Sequence, residues 1–124
     1  MKLDHVGIKV KDVDKAVEFY TKVLGFRHLE TVQVLGNDYF FVGNEYTRIE
    51  IEPAMEGSHV PDINMSTGLY HMAFLVDDLD AEAARLKEHD VKFVLEPVQL
   101  RPDRKIAFIE DPDGTRIQLI QMLE

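Results

Sequence analysis

The sequence predicts an α+β domain built from two tandem β-α-β-β-β modules related by a pseudo-two-fold, and three observations predict it. The first is an internal repeat: residues 5–20 read HVGIKVKDVDKAVEFY and residues 71–86 read HMAFLVDDLDAEAARL, with His, Val, Asp and Asp recurring at 5/71, 10/76, 12/78 and 14/80. The second is a later match of Thr47-Arg48-Ile49-Glu50-Ile51 with Thr115-Arg116-Ile117-Gln118-Leu119. The offset moves only from 66 to 68 between the two blocks, a two-residue loop difference. The third is hydrophobic spacing, which in both halves passes from a period of two to a helical period and back.

The elements follow in order. Val6, Ile8 and Val10 alternate with His5, Gly7 and Lys9, as Met72, Phe74 and Val76 alternate with His71, Ala73 and Leu75; each segment reads as a strand with two unlike faces. Asp12 and Asp78 stand where helix N-caps belong. Val13, Ala16, Val17, Tyr20 and Leu24 then form an apolar stripe, thinner in the second half as Leu79, Ala83 and Leu86. Gly25 ends the first helix as a C′ glycine. Strands are expected over residues 27–34, 39–42 and 48–52, and again over 92–95, 105–110 and 116–121. Asp111-Pro112-Asp113-Gly114 is a turn between the last two. The chain is thus read as one domain, 1–124, with module 1 at about 1–53, a Gly-, Ser-, Pro- and Asn-containing linker at about 54–69, and module 2 at about 70–124.

Bulk composition agrees and excludes several classes. A chain of 124 residues that is 45% hydrophobic and 30% charged can bury a core without staples. It has no cysteine, hence no disulfide, thiolate metal site or cysteine nucleophile. No apolar run spans a membrane and no signal-like stretch opens the sequence, which reads as cytoplasmic. The net charge of −9 repels phosphate backbones, so nucleic acid is not an expected partner, although a small anion is compatible with local cations.

The polar positions carry the chemistry. His5 and His71 lie on the strand faces opposite the core-like residues, and Glu50 and Gln118 lie opposite their flanking isoleucines and leucine. If the first and last strands of each half adjoin, the four converge in one metal-binding cleft. Two imidazoles, one carboxylate and one amide oxygen suit Zn, Ni, Co, Mn or Fe rather than Ca or Mg. Glu52 shares the face of Glu50 and is the alternative carboxylate, although the repeat register favours Glu50. Arg48 and Arg116 share their ligands' strand faces, and Arg101, Arg104 and Lys105 gather in one region; these are candidate sites for an anionic substrate, weighed against ordinary charged loops. Tyr39 and Phe41 either line the pocket or pack. His28, His59 and His89 have no repeat partner and read as surface residues.

The segments DHVGIKV, FYTKVLGF (19–26), YHMAFLVDD (70–78) and EDPDGTRIQLI (110–120) resemble the vicinal-oxygen-chelate superfamily, which includes glyoxalase I, methylmalonyl-CoA epimerase, extradiol dioxygenases and drug-resistance proteins. The resemblance covers essentially the whole chain. It implies paired modules around an open cavity, a first-shell set of His5, Glu50 and His71 with Gln118 in the fourth place, and a homodimer. It also places Lys9 where a glyoxalase carries a cation for glutathione, whereas Glu52-Pro53-Ala54 lacks the Asn expected there. Gln118 stands where a glyoxalase carries a glutamate, and that exchange leaves a divalent site with one net positive charge.

The implied activity is that of a metal-dependent lyase or isomerase of the glyoxalase I (lactoylglutathione lyase) type. A proton next to a carbonyl is removed through an enediolate on the metal, with Glu50 as the base because Gln118 cannot serve as one. The alternatives are a methylmalonyl-CoA epimerase-like enzyme, a non-haem Fe(II) dioxygenase, and a non-catalytic small-molecule or drug-binding protein.

Overall fold

The computed structural model describes residues 1–58 and 67–124. The chain divides into two compact units, Met1–His59 and Val60–Glu124. The first holds β1 (Val6–Val10), α1 (Val13–Glu18), β2 (Arg27–Val34), β3 (Asn37–Gly43) and β4 (Arg48–Pro53). The second holds β5 (Met72–Leu75), α2 (Leu79–Glu88), β6 (Lys92–Arg101), β7 (Arg104–Glu110) and β8 (Arg116–Met122). Each unit is therefore β-α-β-β-β, as the repeat predicts. Among the described residues no helix is long and apolar enough to cross a membrane.

Both sheets have four strands in the same order, β1-β4-β3-β2 and β5-β8-β7-β6. The first and last strands of each unit do adjoin, and in parallel. The registers match pair for pair: Gly7 lies opposite Glu50 and Ala73 opposite Gln118. On the next strand Phe41 pairs with Glu50 and Phe108 with Gln118. One residue of the offset change sits in the turn before the last strand, which spans 44–47 in the first unit and 111–115 in the second. The two turns are built alike. Asn44 Oδ1 accepts from the amides of Tyr46 and Thr47 at 2.8 and 2.9 Å, and Asp111 Oδ1 from those of Asp113 and Thr115 at 2.9 Å each.

One face of each sheet is apolar and carries the helix. Val10, Val42, Ile49 and Ile51 are buried with Ala16, Phe19 and Tyr20 in the first unit. Ala107, Ile109, Ile117 and Leu119 are buried with Leu79, Ala83 and Leu86 in the second. Both predicted N-caps form, Asp12 to the amide of Lys15 and Asp78 to that of Ala81, at 3.1 Å each. In addition, the Leu79 amide donates to Oε1 of Gln121 at 2.8 Å, tying the start of α2 to β8.

Three details depart from the sequence reading. First, α1 ends at Glu18 and continues as a π-helical turn, Phe19–Val23, with the Leu24 amide bonded to the Phe19 carbonyl at 2.9 Å. The wider turn buries Phe19 as well as Tyr20, which a strict 3.6-residue stripe does not allow. Gly25 follows at φ 86°, the left-handed C′ position expected of it.

Second, β3 begins at Asn37 rather than Tyr39, because Leu35 and Gly36 at φ 51° and 82° close a two-residue hairpin. Third, β6 runs on to Arg101 through Pro97, with register shifts after Phe93, Leu95 and Val98. An edge strand accommodates both a proline and bulges, and the bulges erase the alternation that would have revealed it.

Candidate functional site

The polar face of the first sheet is organised by its register. His5 immediately precedes β1, Gly7 faces Glu50, and Lys9 faces Glu52. The side chains of Glu50 and Glu52 are 20% and 24% exposed. A Cβ added at Gly7 would lie 3.6 Å from Glu50 Oε1, an ordinary contact, so the glycine leaves the carboxylate a little room on its strand neighbour's side. In the second unit Ala73, the next smallest residue, occupies the same place beside Gln118.

His5 is held from two sides. Its ring packs edge-on against Phe41, with centroids 5.2 Å apart and planes at 84°. Its Nδ1 donates to Asp4 Oδ2 at 2.7 Å. An ionised carboxylate only accepts, so the proton belongs on Nδ1, and the neutral ring keeps its lone pair on Nε2. That Nε2 lies 3.9 Å from Glu50 Oε2, too far for a direct hydrogen bond. Two such donors on one tetrahedral ion, with bonds of about 2.0–2.1 Å, stand about 3.3 Å apart, so the pair would have to close by roughly half an ångström to share one.

Burial pushes the Glu50 carboxyl above its ordinary value. Glu52 adds to the rise through a hydrogen bond and like charge, against the opposing charge of His5. The bond from His5 holds the Asp4 carboxyl below its usual range, helped by the positive charge of Arg48 and by that of His5 when its ring carries both protons.

The second unit repeats the ring packing without the carboxylate. His71 meets Phe108 edge-on at 5.1 Å and 78°, as His5 meets Phe41. Tyr70 stands in the place of Asp4 and packs on His71 at 4.7 Å. His71 Nδ1 is buried with no hydrogen-bond partner among the described residues. Donors of the right chemistry for a borderline ion are thus present in each unit, as His5 with Glu50 and as His71 with Gln118. Among the described residues no three His, Cys, Asp or Glu side chains form one group.

The cations expected at a substrate are all partnered. Lys9 Nζ lies 3.8 Å from Glu52, and Arg48 bonds Glu30 at 2.8 Å while its guanidinium covers the Phe41 ring at 4.7 Å. Arg116 lies 3.9 Å from Glu110 and 5.9 Å from the centre of the Tyr70 ring. Both arginines still bury an Nε–H that has no partner among the described residues. Arg101 and Arg104 close on Asp103, and Lys105 on Asp80, so each of the three meets a local carboxylate. His28 and His89 are exposed, as read from the sequence, while His59 lies outside the described residues.

Asp4, Tyr70 and Phe108 were not singled out by sequence reasoning. A signal for Phe108 existed, because Phe41 recurs there at an offset of 67, between the other two offsets. A signal for Asp4 was its place directly before a candidate ligand histidine.

Comparison with known proteins decides the family. Residues 2–119 match the Glyoxalase/Bleomycin resistance protein/Dioxygenase superfamily. The chain belongs to this superfamily. Members typically bind a metal and bind small molecules. A probable lactoylglutathione lyase of Synechocystis is 30% identical over 125 residues, covering 98% of this chain and 95% of that protein. A glyoxalase family protein from Bacillus cereus superposes with a TM-score of 0.82 at 22% identity, over 100% of this chain and 95% of the other. An antibiotic binding protein from Streptomyces sp. CB03234 superposes at 0.73 with 27% identity, over 98% of each chain. The superfamily thus contains both lyase-like and binding relatives of this glyoxalase-like chain.

Proposed function

We propose that this protein is a glyoxalase I-like, metal-dependent lyase or isomerase that abstracts a proton next to a carbonyl of a small anionic substrate. The observation that carries the reading is the pair formed by His5 Nε2 and Glu50 Oε2, 3.9 Å apart, on a ring whose other nitrogen lies 2.7 Å from Asp4 Oδ2. The proposed ligands are His5, Glu50, His71 and Gln118, for one divalent transition metal such as Zn, Ni, Co, Mn or Fe. Bound there, the ion would act as a Lewis acid toward the substrate oxygens.

The protein's own groups then have separate tasks. Glu50 takes the proton: its burial raises its affinity for one, and a carboxylate so placed is a stronger base than a solvated one. Gln118 offers only an amide oxygen and cannot take a proton, so the chemistry is asymmetric although the scaffold is repeated. The Nε–H groups of Arg48 and Arg116 are the proposed donors to substrate carboxylate or phosphate, since each is buried and has no partner among the described residues. Lys9 is the third such cation and would have to leave Glu52 to serve. A homodimer is the proposed assembly.

The test is turnover of methylglyoxal with a thiol by the metal-loaded protein, with Glu50→Gln as the control. Thioester formation that Glu50→Gln abolishes supports the reading. A folded, metal-loaded protein inert with every thiol overturns the lyase assignment. Exchange of the α-proton of methylmalonyl-CoA into deuterated solvent would instead mark an epimerase, and oxygen uptake with a catechol and Fe(II) a dioxygenase.

A second reading is a non-catalytic binding protein, favoured by the 27% identity to the antibiotic binding protein. It expects saturable ligand binding with no turnover and no dependence on Glu50.

A further inference from the structure

We propose that Asp4 is a positioning residue for His5, holding the ring as the Nδ1–H tautomer so that the Nε2 lone pair faces Glu50. The inference rests on the reading of His5 and Glu50 as metal ligands and adds the residue that makes one of them ready.

Three observations support it. The Asp4–His5 bond is short, 2.7 Å from Oδ2 to Nδ1. The opposite nitrogen is the one directed at Glu50. The repeat supplies an internal comparison: with Tyr70 in the place of Asp4, the Nδ1 of His71 has no partner among the described residues. Ring packing on phenylalanine is common to both histidines, so it does not distinguish them. The difference is the carboxylate.

The chemistry gives this difference a consequence. A neutral histidine left to water favours its proton on Nε2, which blocks that nitrogen as a ligand. An acceptor at Nδ1 reverses the preference, turns the ring and raises the basicity of Nε2, and such outer partners are worth about 10–100-fold in metal affinity. Asp4 is 77% exposed on its side chain and precedes the first strand, so its replacement leaves the core and the sheet ladder intact. The two units accordingly present unequally prepared histidines: His5 with its ligating nitrogen directed at Glu50, His71 with no partner for Nδ1 among the described residues to set its tautomer.

The experiment uses the full chain with 15N-labelled histidine at about pH 8, above the ordinary imidazole titration. Long-range proton–nitrogen correlation reads the His5 tautomer in metal-free protein, and Co(II) titration reads affinity. His5 in the unsubstituted protein is expected as Nδ1–H. Asp4→Ala should move it toward Nε2–H and weaken Co(II) binding about 10–100-fold. Asp4→Asn, whose amide oxygen still accepts from Nδ1, should restore the tautomer and most of the affinity. An Nε2–H His5 in the unsubstituted protein, or an Asp4→Ala variant with unchanged tautomer and Co(II) affinity, overturns the proposal. If the tautomer responds as expected but the unsubstituted protein takes up no Co(II), the metal reading fails while the positioning by Asp4 stands.

Discussion

Replacing Glu50 by glutamine gives the first unit the same donor that Gln118 supplies in the second, and it should separate stability from function. The side chain is 20% exposed, and its carboxyl is pushed above the ordinary 4.5 by burial, with Glu52 adding to the rise. A raised carboxyl binds more protons in the native state than in the unfolded chain, so ionisation costs folding free energy. The cost is absent below the ordinary value, grows as pH rises through the native value, and is constant above it. A tenfold change in proton affinity corresponds to about 1.4 kcal/mol. The isosteric amide, which carries no charge to desolvate, should therefore stabilise the metal-free protein at neutral pH. Urea unfolding in chelator between about pH 3 and 8 reads this as a shift in midpoint at unchanged slope. The gain should vanish at the acid end, and the same variant should lose metal affinity by at least the 10–100-fold that an outer-shell partner is worth. A Glu50→Gln protein that is less stable than the parent at neutral pH, or whose difference does not change with pH, would rule out a destabilising charge at Glu50.

The remaining expectations concern backbone and packing. Gly7→Ala adds a carbon 3.6 Å from Glu50 Oε1, where Ala73 already stands in the second unit, so stability should hold or rise by about 0.5–1 kcal/mol in thermal melts. Gly7→Val carries its methyls farther toward the carboxylate and should cost Co(II) affinity while the protein still folds. Leu35→Asn places a residue tolerant of positive φ in the exposed first position of the β2–β3 turn, now occupied by Leu at φ 51°, and should stabilise by about 1 kcal/mol in urea. Gly43→Ala should be severely destabilising, about 3 kcal/mol or more, because its Cβ would run into the Thr47 backbone carbonyl. Phe41→Ala removes a buried ring that supports both His5 and Arg48, and should cost about 3–5 kcal/mol of stability together with metal affinity.

What could be read in advance was whatever has a period or a repeat. The offsets of 66 and 68 located the first and last strands of both halves and the equivalence of Glu50 with Gln118, and the structure pairs those strands in parallel and in matching register. The bulged edge strand β6 was read too short because its shifts break the two-residue alternation. The π-turn at Phe19–Val23 was invisible because helical stripes assume a constant 3.6-residue period. Ion pairs were the least legible part. Arg48 on β4 reaches Glu30 on β2 past the intervening β3, Arg116 meets Glu110 on the neighbouring β7, and Lys105 meets Asp80 at the start of α2. Their sequence separation carries no signal until the register is known. Asp4 escaped notice for a different reason: adjacent strand residues point to opposite faces, but His5 lies just before the ladder begins, where that alternation does not yet bind.

The proposed metal-holding groups of this chain are a histidine–carboxylate pair and a histidine–amide pair, and their joint role sets how much metal it takes up. Metal content of the protein, loaded with Co(II) and freed of excess, tests it most directly beside His5→Ala and Gln118→Leu. About one Co(II) per chain is expected in the parent, with His5→Ala losing it and Gln118→Leu retaining it more weakly. Full occupancy surviving His5→Ala, or less than about 0.1 Co(II) per chain in a folded parent, would rule these groups out as the metal site.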